Sequence, residues 1–235
     1  MAENLPNWIN YVFLIIVGLT LLFFYISNGK PFKLIIFLSV LSIVQLVLAF
    51  NGFYKITDTF PPRLIFIFAP NIVLLIFGLL PKQLEYVFKH RNLKVSTFLH
   101  TIRFFIEIIL YQLFINKLIP ELMTFTGRNF DIFAGLTAPI IAFLITKKKI
   151  GNKALILWNF ICLGLVLFIL INGVLSSQTP FQQFGFEQPN VAILYFPFIL
   201  LPSTIVPLVV YTHITDLLFL IKKTKHEEHF STLGN

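Results

Sequence analysis

The chain has 235 residues, of which 57% are hydrophobic and 12% charged, with a mean hydropathy of +0.86. Soluble domains carry about 25% charged residues, so this composition excludes an ordinary soluble domain and implies a polytopic membrane protein. The net charge of +8 needs no nucleic-acid partner, because lysines and arginines gather in alternate loops, and a single cysteine, Cys162, excludes an intrachain disulfide.

The N-terminal MAENLPNW has no basic region, so the first apolar run is expected to stay as a membrane helix rather than be cleaved as a signal. Crossing a hydrocarbon core of about 30 Å takes roughly 20 apolar residues. Seven segments qualify: 8–27, 34–54, 64–81, 97–119, 130–146, 154–174 and 191–221. The third and fifth are short, and the fifth includes Asp131. Pro197, Pro202 and Pro207 predict a tilted or kinked seventh helix. The expected fold is all-α, with residues 1–222 as a seven-helix transmembrane domain and 223–235 as a short cytoplasmic tail. Within the 82–95 stretch, Leu84, Val87 and Phe88 recur at helical spacing among basic residues. That pattern fits a short helix on anionic lipid or a solvated basic loop.

Loop charge orients the chain. The 28–33, 82–95 and 147–153 loops and the tail carry 13 lysines and arginines, Arg91 among them. The opposite side carries 4, namely Lys55, Arg63, Lys117 and Arg128. The expected topology has the N-terminus outside and the C-terminus in the cytoplasm. Trp8 and Tyr11 at the outer face, with Tyr25 and Trp158 near the inner one, agree with it. TFPPRLIFIFAP (59–70) and TFTGRNFDIFAG (124–135) match at 6 of 12 positions, which in a chain with 29 Phe does not establish a duplication.

His100, Arg103, Glu107 and Tyr111 fall within an arc of about 80° on the fourth segment, so one face can hide them from lipid. A charge at the bilayer centre costs at least ~2.5–3.5 kcal/mol, so partners are expected. His213 and Asp216, three apart on the seventh segment, supply them. Arg103 lies roughly 10 Å and Asp216 roughly 8 Å from the cytoplasmic ends, which predicts Arg103–Asp216 and Glu107–His213 pairs and contact between the two helices. Gln45, Asn71, Asn159 and Asn172 read as interhelical hydrogen bonds, Asn71 as a repair for the backbone group that Pro70 frees.

The loop PELMTFTGRNFD (120–131) concentrates donors at the outer mouth, in Thr124, Thr126, Arg128 and Asn129, with Asn129 or Asp131 placed to cap the fifth helix. This loop, with RNFDIFAGLTAP after it and VPLVVYTHI in the seventh segment, resembles a group of bacterial multi-pass membrane proteins. The resemblance covers the fourth to seventh segments and implies a bacterial inner-membrane location, with no assigned activity.

Three function classes fit. Helix-breaking prolines and a buried acid–base cluster suit binding or transport of a small polar solute or ion, with Glu107 and His213 as a proton relay and Arg103 as an anchor for an anion. A metal-dependent intramembrane hydrolase would need a mixed site from His100, Glu107, His213 and Asp216, which Arg103 opposes; Ser39 and Ser42 are nucleophile candidates only there. A sensor, or a structural protein whose cluster is packing glue, is the third; retinal is disfavoured because the seventh helix has lysines only at its end, and haem between His100 and His213 leaves Arg103 and Glu107 needing other partners. No catalytic residue, metal or cofactor is assigned. The expected partners are the lipid bilayer and the small solute or ion.

Overall fold

The computed structural model describes residues 5–57 and 59–233, and every regular element among them is helical. In chain order these are α1 (Asn7–Ser27), α2 (Phe32–Phe50), α3 (Ile65–Gly78), α4 (Pro81–His90), α5 (Leu93–Leu99), α6 (Ile102–Ile115), α7 (Ile132–Thr146), α8 (Asn152–Leu175) and α9 (Val206–Leu233). Five stretches are long and apolar enough to cross a membrane: α1, α2, the α5–α6 unit, α8 and Leu201–Glu227. The α3–α4 pair adds a sixth only as a span bent by 74°, and α7 is shorter. The coarse expectation, an all-α chain with several apolar helices long enough to cross a membrane, is met. Phe37, Val44, Ile72, Ile140 and Phe160 point outward, which suits lipid tails better than water.

The elements break where local chemistry demands it. Pro70 has no N–H and leaves the carbonyl of Phe66 without its helical donor. Gln45 on α2 supplies that donor, through Nε2 at 3.1 Å, while its Oε1 accepts from the Tyr54 hydroxyl. Asn71, expected to make this repair, instead donates to Ile67 O at 2.7 Å. The bend after α3 starts α4 with Pro81 in its first turn, where a missing N–H costs nothing. The 82–95 stretch is thus mostly helical, with Val87 buried and Lys82 and Lys89 exposed.

The seventh expected span begins later than hydropathy predicts. Residues 191–199 are not helical beyond a 3₁₀ turn at Ala192–Leu194, and the amides of Val191 and Ala192 donate to Leu118 O at 3.0 Å. A π-helical turn, Leu201–Ile205, then leads into α9, so the prolines act at the head of this span. Past the expected end at 221, α9 continues to Leu233. The fifth span holds only 15 residues, in α7, or roughly 22 Å at 1.5 Å per residue, short of the ~30 Å needed.

Gly135 explains where α7 sits. A Cβ there would lie 2.2 Å from Phe104 N and 2.8 Å from its Cα, so α7 meets the α6 backbone with no side chain between. Gly135→Ala must push the helices apart and is expected to cost about 1–3 kcal/mol. Detergent-phase unfolding of the variant would show it, and an unchanged midpoint would refute the close approach.

Candidate functional site

Arg103 stands at the centre of a closed polar knot. In the 23-residue α5–α6 unit it is the eleventh residue, and Glu107 is the fifteenth, so both lie near the middle of the span. Asp131, at the N-terminus of α7, pairs with the Arg103 guanidinium through both carboxylate oxygens, one at 2.6 Å from Nε. The remaining donors reach Cys162 O at 3.1 Å and His213 Nε2 at 3.0 Å. Guanidinium nitrogens only donate, so His213 Nε2 accepts and the ring proton sits on Nδ1. That Nδ1–H donates to Asn159 Oδ1 at 2.9 Å, and Asn159 Nδ2 donates to Leu155 O at 3.0 Å. The residues of this chain come from α6, α8, α9 and the N-terminal end of α7, and each guanidinium and His213 ring nitrogen has a partner.

This geometry corrects the sequence reading in several places. Neither expected pair, Arg103–Asp216 or Glu107–His213, forms. The fourth and seventh segments do touch, but through Arg103 on His213 and through His100, whose ring stacks on His213 at 3.7 Å and 5°. Asp131 makes no side-chain cap for α7. The late start of that helix carries Asp131 inward, where the unpaired guanidinium outcompetes a backbone N–H. Arg103 is therefore neutralised and is not free to anchor an anion. Trp158 closes the aromatic set, 5.8 Å from both imidazoles, with its indole N–H donating to Thr137 Oγ1 at 3.0 Å. Both nitrogens of His100 lack a partner among the described residues.

Glu107 is the open member of the cluster. Its Oε1 accepts from Asn129 Nδ2 at 2.7 Å. Its Oε2 is buried with no partner among the described residues. The side chain lines a cavity of about 70 Å³ whose walls are otherwise mostly apolar, including Ile106, Val166 and Leu201, with Asn129, Asp131 and Asn190 as the other polar lining residues. Asn129 is held in place by a second bond to Met123 O and by accepting from the amide of Asp131, both at 3.0 Å. The 120–131 stretch is therefore not a uniformly exposed loop: Thr126 and Arg128 are exposed, while Asn129 and Asp131 are buried against Glu107 and Arg103. Tyr111, expected on the same stripe, is not brought to the cluster; its ring packs against Phe114 and Phe125.

Asp216 belongs to a second, separate knot. Arg91 Nε donates to its Oδ1 at 2.7 Å and Ser96 Oγ at 3.0 Å. The other arms of Arg91 reach Asn28 Oδ1 at 2.7 Å and Thr212 O at 3.0 Å. Neither charged side chain has any exposure, so Arg91 is not the solvated loop charge its position implied. Gly29 allows the approach: at φ +77, its Cβ would fall 2.3 Å from that of His90. Asn159 makes the interhelical hydrogen bond expected of it, on His213, whereas nothing in the sequence pointed to Arg91, Ser96, Asn28 or Trp158 as members of these knots. Asn28 sits in SNGK and Arg91 in HRN, where turn chemistry masks a tertiary role. Among the described residues no three His, Cys, Asp or Glu side chains converge on a metal position, and the mixed site drawn from His100, Glu107, His213 and Asp216 is split between the two knots and the cavity.

Residues 59–221 match the model of a domain of unknown function, DUF8737. The match covers more than half of the chain, so the protein belongs to that family. It contains both knots except Asn28, together with the whole Glu107 cavity. Neither the curated proteins nor the solved structures give a match to the chain.

Proposed function

We propose that this DUF8737 protein is a seven-span bacterial inner-membrane protein that binds and carries a proton or a small monovalent cation at Glu107. The N-terminus lies outside and the lysine-rich turns and tail lie in the cytoplasm, as loop charge favours. In this topology the fifth crossing is half loop and half helix: residues 116–131 enter from outside, and α7 completes the passage.

The observation that carries the reading is the Glu107 carboxylate, half satisfied by Asn129 and otherwise facing a small cavity with no counter-charge of its own. Arg103 is already matched by Asp131, so the position calls for a proton or a cation, not an anion. The cavity is bounded by interrupted elements, the N-terminus of α7 with its incoming loop and the π-turn at Leu201–Ile205. Mid-membrane sites of carriers are built from such breaks, and π-turns gather at functional positions. About 70 Å³ holds a few waters or one small ion, not a sugar or an amino acid.

Glu107→Gln keeps an acceptor for Asn129 and removes the titratable oxygen, so its cost in stability is expected to be about 1 kcal/mol or less. Reconstituted in liposomes with a trapped pH dye and an imposed potential, the native chain is expected to move protons, or sodium or ammonium against them. The variant is expected to fall to the rate of empty liposomes. Native-like flux in the variant, or no flux of any of these ions in the native chain, refutes the reading. A variant that unfolds in mild detergent supports packing glue instead, a reading favoured for the Arg103 knot, where each guanidinium and His213 ring nitrogen has a partner.

A further inference from the structure

A second cavity lies away from Glu107, in the half of the molecule that contains α4. It measures about 410 Å³, within the ~300–1,000 Å³ of small-molecule sites. Its walls come from α1, α2, α3 and α9, with Phe24, Leu38, Leu74 and Leu208 among them, and α4 closes one end. The chemistry changes along its length. The deep walls are apolar apart from Asn71, whose amide is turned to the Ile67 carbonyl, whereas the α4 end carries Lys82, Gln83 and Tyr86. Lys82 is exposed and makes no ion pair among the described residues. Gln83 holds a buried Oε1 with no partner among them. Lys30 and Lys33 flank Pro31, another lining residue, and Lys89 lies two turns along α4, against one acid, Glu85.

We propose that this cavity holds one acyl chain of an anionic phospholipid with a hydroxyl-bearing headgroup, of the phosphatidylglycerol type. An apolar slot of this size ending in unpaired lysine matches an amphiphile with a long tail and a negative head. The phosphate lies over Lys82 within reach of the Lys30–Lys33 turn, and a headgroup hydroxyl donates to Gln83 Oε1, a group that a choline head cannot satisfy. A soluble anion would leave the apolar length unused, and a neutral lipid would leave Lys82 and Gln83 unanswered. The α4 helix meets α3 at 74°, which brings its basic side to the level where headgroups sit if α3 crosses the bilayer. The site is independent of Glu107, so either proposal can fail alone.

The test is native mass spectrometry of the full chain released from micelles containing equal phosphatidylglycerol and phosphatidylcholine. One phosphatidylglycerol is expected to stay bound in preference to phosphatidylcholine. Lys82→Gln, at an exposed position, is expected to reduce retention about five-fold, the factor one lysine contributes at an anionic surface. Leu74→Trp, which fills the slot, is expected to abolish retention, while Lys117→Gln at the opposite end leaves it unchanged. Equal retention of both lipids, retention that survives both Lys82→Gln and Leu74→Trp, or equal protection from unfolding by inorganic phosphate alone would each overturn the proposal. If Leu74→Trp fails to fold, the headgroup preference and the Lys82→Gln measurement decide it.

Discussion

Replacing Asp131 by Asn is expected to destabilise the protein by about 3–5 kcal/mol, the usual cost of removing one partner from a buried ion pair. Asn preserves the volume and still offers an oxygen to the guanidinium. What it removes is the charge that Arg103 needs at mid-span, where the other acceptors, His213 Nε2 and Cys162 O, are neutral. The loss is larger than that of one hydrogen bond because it leaves a buried guanidinium without its counter-charge. Replacing both residues, as Arg103→Met with Asp131→Leu, is expected to recover most of the loss, since an apolar pair carries no desolvation penalty. Equilibrium unfolding in detergent, followed by circular dichroism, separates the cases. A single variant within about 1 kcal/mol of the native chain would show that the pair is a surface-like contact.

Gly135 and Asp131 lie one helical turn apart on α7, and both depend on the contact with α6. Their substitutions should therefore fall short of additivity, since whichever comes first already loosens the other's partner.

Hydropathy resolved the parts of this fold that lipid alone dictates. The expected 8–27, 34–54 and 154–174 segments match α1, α2 and α8 to within a few residues, because a span that faces lipid needs only length and apolar character. It failed where protein replaces lipid around the chain. The 120–131 loop is polar enough to read as an outer mouth, yet Asn129 is 1% exposed, its polar groups taken up by Glu107 and by backbone. A hydropathy sum cannot separate polarity answered by water from polarity answered by buried partners. Residues 191–199 show the reverse: they are apolar enough for a span, but they fold irregularly and are packed inside the protein.

The site was legible in its membership more than in its wiring. Helical spacing put His100, Arg103 and Glu107 on one face, and all three are buried. The partner assignment rested on depth along two continuous helices, and it broke because two further charges entered from unexpected levels. Asp131 comes from the N-terminal end of the short α7, and Arg91 from the turn before α5. Tyr111 lies on the right face but beyond the cluster, where Phe125 rather than α9 covers α6. Face is a local property that spacing encodes. Which charge meets which is set by where the intervening loops fold, and spacing carries nothing of that.

Arg91→Ala is the second variant expected to be severe, at about 3–5 kcal/mol, because it strands Asp216 with only Ser96 as donor. The effect should also be local in a recognisable way. Arg91 joins the end of α1 through Asn28, the body of α9 through Thr212 O and Asp216, and its own α4–α5 turn. Without it the turn loses its attachment, so amide exchange should rise first in residues 86–96, ahead of α6 or α8. Arg91→Lys keeps the charge but not the planar fork, and a single ammonium reaches one of the three acceptors at a time. Its expected cost is about 1.5–3 kcal/mol, intermediate between the native chain and Ala. Trypsin gives an independent readout, since Lys89 and Lys94 flank the turn and cleavage there should accelerate in the order native, Lys, Ala. Equal cleavage and equal stability in all three would return Arg91 to the role its sequence position implies, a solvated charge on a basic loop, and would leave Asp216 held by Ser96 alone.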